Sequence, residues 1–312
     1  MTKLFRLLAI WTALLFASLS VTAPAREAAQ PAVRTALARP APVRATLVRP
    51  ALWKISDHDT TIYLFGTIHA LPKGVNWFGG PVASAFNTSD ELVTEIAGSD
   101  ATDVQALTSR IALLPPGETL RATMSASDRE AFEGALAFNG LAADAYDRFE
   151  PWFAAVALSN LPLMKAGYDP STGVEATLDA RAKALKRPHI GLETPEYQLG
   201  LFDALPAETQ KAYLNEIVEH TPTIAKELIA IVDEWKRGNA EKLAELMNAD
   251  EDDPYLVAVL LTNRNHAWAQ WIKDRMDRPG KVFVAVGAGH IAGRGSLLDQ
   301  LHALGFTATR LQ

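Results

Sequence analysis

Cysteine is missing from all 312 residues, and this absence excludes disulfide staples, thiolate metal sites and cysteine nucleophiles together. The chain must be held by its core alone, and with 48% apolar residues it has material for a large one. No excess of positive charge is present either: 30 Lys and Arg stand against 36 Asp and Glu, a formal net charge of −6, which argues against nucleic acid and against a generally anionic surface as partners. No H-E-x-x-H helix and no G-x-S-x-G elbow occurs, so the commonest zinc-protease and serine-hydrolase layouts are excluded.

A long uncharged run, Leu7 to Val21, follows the basic opening Met-Thr-Lys-Leu-Phe-Arg and precedes small residues at Ala23 and Ala25. That order is the layout of an export signal. Its strongly apolar part, Leu7 to Ala17, is well short of the roughly 20 residues a spanning helix needs. Residues 1–25 are therefore read as a cleaved signal, and the mature chain as carrying no stable membrane span. The expected location is the periplasm or the medium; left uncleaved, the segment would anchor the chain in the inner membrane. Residues 26–50 hold Ala, Pro, Arg and Val with little else. Their prolines forbid a regular ladder or helix, so this stretch reads as a semi-extended linker.

The folded domain is placed at 51–312. Trp53-Lys54-Ile55 and Thr61-Ile62-Tyr63-Leu64-Phe65 flank the polar turn Asp57-His58-Asp59 and predict a β-hairpin. Further strands are expected at 91–96, 189–193 and 281–286, the last an apolar run of the sort buried on both faces. Residues of about 100–185 and 206–276 carry helical spacing, with interruptions expected at Pro115-Pro116, Pro151, Pro162 and Pro170. Strands alternating with long helical stretches predict an α/β (α+β) fold, a mixed central β-sheet flanked by helices with a large helical middle region.

Two segments repeat one pattern. Tyr63-Leu64-Phe65-Gly66-Thr67-Ile68-His69 runs on to Gly74, and Val284-Ala285-Val286-Gly287-Ala288-Gly289-His290 runs on to Gly295. Each reads as an apolar strand, G-x-x-H, four residues and then glycine. Glycine at a strand end permits a sharp turn and a close approach, and the histidine after it is presented at the sheet edge, where open α/β sheets hold ligands. Imidazole suits that place as a metal ligand or as an acid or base near neutral pH. Glu95 and Glu193 end strand-like runs and can reach the same edge. Histidine nitrogens and carboxylate oxygens, with one position left to water, are the inventory of a catalytic metal site. Alternatively Glu95 acts as a base and Arg264 holds an oxyanion. Glu175 reads as a weaker candidate, an ordinary acid in the first turn of a helix.

The other histidines have no motif: His58 and His302 are expected in solvent, and His189, His220 and His266 in packing roles. Trp235, Trp268 and Trp271 lie in helical stretches and read as core. The acidic run at 250–253 lacks the ligand spacing and the glycine of a calcium loop, and reads as a solvated connection.

The chain resembles the TraB/PrgY/GumN family, related to the Tiki proteases of animals. The likeness rests on LFGTIHALPKG at 64–74, ELVTEI at 91–96, GVEATLDARA at 173–182, IGLETPEYQLGLFDALP at 190–206, LTNRNHAWA at 261–269 and VAVGAGHIAGRGSLLDQL at 284–301. The resemblance implies a metal-dependent, peptidase-like hydrolase of a peptide or another small amide or ester. It implies a divalent ion, zinc, manganese or cobalt, held by His69, His290 and Glu95, with Glu95, Arg264, Asn265 and Glu193 as catalytic members of the site. Where many relatives carry Asp in a G-V-D segment, this chain has Glu175. The alternative expectation is a non-catalytic periplasmic protein that binds a metal, a tetrapyrrole or a signalling peptide with the same histidines.

Overall fold

The computed structural model describes residues 46–98, 101–248 and 254–312. The signal at 1–25, most of the linker and the acidic run at 250–253 lie outside the described residues. In chain order the elements are β1 (Leu52–Ser56), β2 (Thr60–Thr67), β3 (Leu71–Pro72), α1 (Gly80–Thr88), β4 (Glu91–Ile96), α2 (Ala101–Ile111), α3 (Ala126–Phe138) and α4 (Pro151–Lys165). Then come β5 (Tyr168–Asp169), α5 (Val174–Ala184), β6 (His189–Glu193), α6 (Pro195–Asp203), α7 (Ala207–His220), α8 (Ile224–Arg237), α9 (Ala240–Asn248) and α10 (Pro254–Val257). A π-turn at Ala258–Thr262 leads into α11 (Asn263–Met276), followed by β7 (Gly280–Gly287), α12 (Ala288–Ile291), α13 (Leu297–Ala303) and β8 (Thr309–Arg310).

The expected hairpin is present, its turn closed by Asp57 Oδ1, which accepts from the backbone N–H groups of Asp59 and Thr60. The main sheet has the order β6-β4-β7-β2-β1-β8. Its four strands β6, β4, β7 and β2 run parallel, while β1 is antiparallel to both its neighbours. The sheet is mixed, as the alternation of strands and helices requires.

Side chains on a strand alternate between the two faces, and β7 shows where each face goes. Val282, Val284 and Val286 join Ile62 and Leu64 under α11 and α13, whereas Phe283 and Ala285 join Phe65 beneath the helical middle region. Both faces are covered, so the run from Val282 to Gly287 is buried throughout. Pro162 does not interrupt the middle region as expected; it lies inside α4. It falls in the last turn, where little of the helix remains to be disrupted, and the buried face of α4 from Trp152 to Leu163 outweighs the missing hydrogen bond. Among the described residues no helix is long and apolar enough to cross a membrane.

The end of the linker joins the fold. The Val48 N–H donates to Asn76 O and the Arg49 N–H donates to Lys236 O, so the chain is attached some residues before β1. One glycine seats the middle region on the sheet edge: the Val174 N–H donates to Ile68 O at 3.0 Å, and a Cβ on Gly173 would stand 2.0 Å from His69 O. Only glycine allows this approach. Gly173→Ala is therefore expected to lower unfolding free energy by about 1–3 kcal/mol, the usual range for overpacking. Gly134→Ala, in α3 with nothing within 4 Å of the added carbon, should raise it by about 0.5–1 kcal/mol. Urea unfolding of the two variants checks both signs.

Candidate functional site

Strands β2, β7, β4 and β6 are neighbours and parallel, so their C-terminal ends lie side by side at one edge. His69 follows β2, His290 follows β7, Glu95 ends β4 and Glu193 ends β6. The register places Thr67 opposite Gly287, which brings the two G-x-x-H turns together. A Cβ on Gly66 would meet Ala288 Cα at 3.0 Å, so the first motif's glycine permits the second motif's turn to close over it. Gly74 and Gly295, which end the two repeats, both have positive φ, at 88° and 69°.

Arg264 enters from the first turn of α11, directly after the π-turn, and is 5% exposed. π-turns inside helices commonly mark functional positions. Here the turn brings Leu260 O within 3.2 Å of Arg264 Nη1. Nη2 donates to Glu95 Oε2 and Glu193 Oε2, both at 2.7 Å, and Nε donates to Glu193 Oε1 at 2.9 Å. The remaining carboxylate valences are also filled. Gly287 N–H donates to Glu95 Oε1 at 2.7 Å, Trp268 Nε1 to Glu193 Oε1 at 3.0 Å, and the Gln198 amide bridges Glu95 Oε2 and Glu193 Oε2 at 2.9 and 2.8 Å.

His290 is fully buried within the same network. Arg264 Nη1 lies 3.2 Å from its Nε2 and Asn265 Oδ1 contacts its Nδ1. A guanidinium can only donate, so Nε2 is the acceptor and Nδ1–H donates to Asn265. Asn265 is itself anchored by donating to Gly295 O at 2.9 Å, and the Trp268 ring lies 4.3 Å from the imidazole between centroids. Burial first, and then the charges of Arg264 and His69, push the His290 pKa well below the usual imidazole range. It is held neutral.

His69 is different. It is 4% exposed, and Nδ1 lies 2.7 Å from Glu175 Oε1, bent from full hydrogen-bond geometry. Burial disfavours its charged form, yet the Glu175 carboxylate outweighs burial and holds the His69 pKa above the ordinary value. Burial likewise opposes the charge on Glu175, and His69 reverses that effect to hold its carboxyl below the usual range. His69 Nε2, Glu175 Oε2 and Thr67 Oγ1 are buried and form no well-aligned hydrogen bond among the described residues, Thr67 lying beside the Glu175 carboxyl and helping to hold its pKa down. Buried polar groups are nearly always paired, so a cluster of exceptions marks a place where water, an ion or a substrate belongs.

All six site residues put forward from the sequence lie at this one edge. Both oxygens of Glu95 accept hydrogen bonds from the protein and the donors of Arg264 are occupied within it, so in this arrangement neither a free base nor an oxyanion holder is presented. The donors assigned to a divalent ion do not fit one as they stand: His290 and Glu95 face Arg264, and only His69 offers an open nitrogen. Among the described residues, the group of three acids and histidines with ligand atoms all within 4.8 Å of one another is Asp57, His58 and Asp59, exposed in the hairpin turn. Two contributors were missed, while Glu175, the weaker candidate read as a first-turn acid, pairs with His69. Trp268 reads as core, although its place four residues after Arg264 puts both on one helix face. Gln198 carries no sequence signal.

The network sets an expected stability loss. Arg264→Met leaves two buried carboxylates without their cation, and breaking a buried pair in this way costs roughly 3–5 kcal/mol. Adding Glu95→Gln and Glu193→Gln should recover part of that loss, because no charge is then left unpaired; urea unfolding of the single and triple variants compares them.

Residues 51–310 match the TraB/PrgY/gumN family. The uncharacterized protein YbaP of Escherichia coli (strain K12) is 26% identical over 239 residues, covering 77% of this chain and 87% of YbaP. An uncharacterized protein of Treponema pallidum (strain Nichols) is 24% identical over 264 residues, 79% of this chain and 78% of the relative. No solved structure matches. With a match across nearly all of the described domain, the chain belongs to the TraB/PrgY/gumN family.

Proposed function

We propose that the chain is a cell-envelope hydrolase of a peptide or another small amide or ester bond, in which His69 accepts a proton from the attacking water. The observation that carries this reading is the His69–Glu175 pair. Nδ1 is held 2.7 Å from a buried carboxylate while Nε2 is buried without a partner. A carboxylate on one ring nitrogen orients the imidazole and stabilises the imidazolium formed when the other nitrogen takes a proton. Exclusion of water strengthens that effect, because charges interact more strongly in a low-dielectric setting. With His69 4% exposed, a substrate reaches Nε2 only when neighbouring segments part.

The other residues act by positioning. Arg264 and Gln198 hold the ends of β4 and β6 together, and Arg264 and Asn265 hold His290. A divalent ion shared by His69, His290 and Glu95 would require Arg264 to release the last two, so no step in this reading passes through a metal.

His69→Ala is expected to lower hydrolysis of a peptide or ester library by about 10²–10⁴-fold, the usual contribution of a general base. Glu175→Gln should lower it less, since the base remains. A mature protein that cleaves nothing, or a His69→Ala variant as active as wild type, sinks the reading. Elemental analysis of the mature protein beside the His69→Ala/His290→Ala variant tests the cofactor: stoichiometric divalent metal in the former and none in the latter would replace this mechanism with a metal-dependent one.

A further inference from the structure

The loop at 72–78 and the segment at 171–181 line an open cavity of about 310 Å³, within the range of small-ligand pockets. Asn76, Trp77, Phe78, Thr172, Thr177 and Arg181 line it. Its walls are the two chain segments that carry the reacting pair: one leaves His69, and the other contains Glu175.

The Arg181 guanidinium stands over the Phe78 ring, 3.6 Å from its centroid, so it is positioned before a ligand arrives. Among the described residues Arg181 has no carboxylate partner. Asp179 on its own helix is taken by Lys183 and His189, at 2.7 and 3.1 Å, and Asp169 at the rim faces Ser171 and Lys73. The hydroxyl protons of Thr172 and Thr177 are already donated to backbone carbonyls. The charged group that this lining offers is the Arg181 guanidinium, a planar fork of donors that matches the two oxygens of a carboxylate.

Thr177 and Arg181 share one face of α5, while Glu175, Leu178 and Ala182 are buried. Glu175 and Arg181 are about 9 Å apart along the helix axis and lie on different faces, so an extended peptide needs at least about three residues to join them. We propose that this cavity is an anchoring subsite in which Arg181 binds a carboxylate of a peptide substrate, an acidic side chain or the C-terminus, three or more residues from the hydrolysed bond. The assignment rests on the hydrolase reading for its register, but not for its binding chemistry.

The test uses matched peptides that carry Asp or Glu, or else Gln, at successive positions, with the mature protein. The KM of the acidic peptide should be about tenfold lower than that of its Gln counterpart, the worth of one charged hydrogen-bonded contact. Arg181→Ala and Arg181→Gln should erase that difference with kcat unchanged, and Arg181→Glu should reverse it. Equal KM values in the wild type, or a preference that survives Arg181→Gln, overturn the subsite while leaving the hydrolase reading intact. Fluorescence anisotropy of the same peptides on His69→Ala reads binding without turnover. If no peptide is cleaved but acidic peptides bind preferentially and lose that preference in Arg181→Gln, the subsite stands and the hydrolase reading falls.

Discussion

One buried guanidinium organises this sheet edge. Arg264 lies out of water among Glu95, Glu193, His290 and the Leu260 carbonyl. A charge in that position is tolerated only when its hydrogen-bonding capacity is met. Its partners come from two strands, the turn after a third and the π-turn ahead of the helix that carries it, so satisfying the cation requires all four elements to be in register. The π-turn ahead of α11 and the glycine turn of the second motif are local distortions that the network holds in place.

The same network separates two motifs that are alike in sequence. In the second G-x-x-H, His290 is fully buried between Arg264, Asn265 and Trp268 and is kept neutral by burial and by the neighbouring positive charge. In the first, His69 meets a carboxylate on one side and leaves its other nitrogen unpartnered. Identical spacing has produced one histidine that completes a scaffold and one whose second nitrogen is left without a partner. The difference arises from what packs against each turn: α11 against the second, the start of α5 against the first.

Burial links this arrangement to stability as well as to reactivity. The unpaired atoms around His69 sit within a domain whose sheet is covered on both faces, so their cost is borne by extensive apolar packing. Local violations of polar satisfaction in an otherwise consistent fold are a usual sign of a working site. The helical middle region thus has two roles: it covers one face of the sheet, and through Gly173 it delivers Glu175 to His69.

Much of this was legible along the chain. Apolar runs ended by G-x-x-H placed His69 and His290 at strand ends, strand-terminal acids placed Glu95 and Glu193 beside them, and the mixed sheet followed from the alternation of strands and helices. These features depend on local pattern and period, which a sequence carries directly. Which groups pair with which did not follow, because hydrogen bonds between residues about a hundred or more positions apart exist only once helices have docked. In sequence Glu175 reads as a helix-opening acid, and only the close approach of Gly173 to the His69 carbonyl brings it to His69; Arg264 reads as an oxyanion holder, and only the closed edge occupies its donors. The sequence alone determined which chemical groups reach the sheet edge; tertiary packing decided which of them remain unpaired there, since satisfaction of a buried polar atom depends on its neighbours in space.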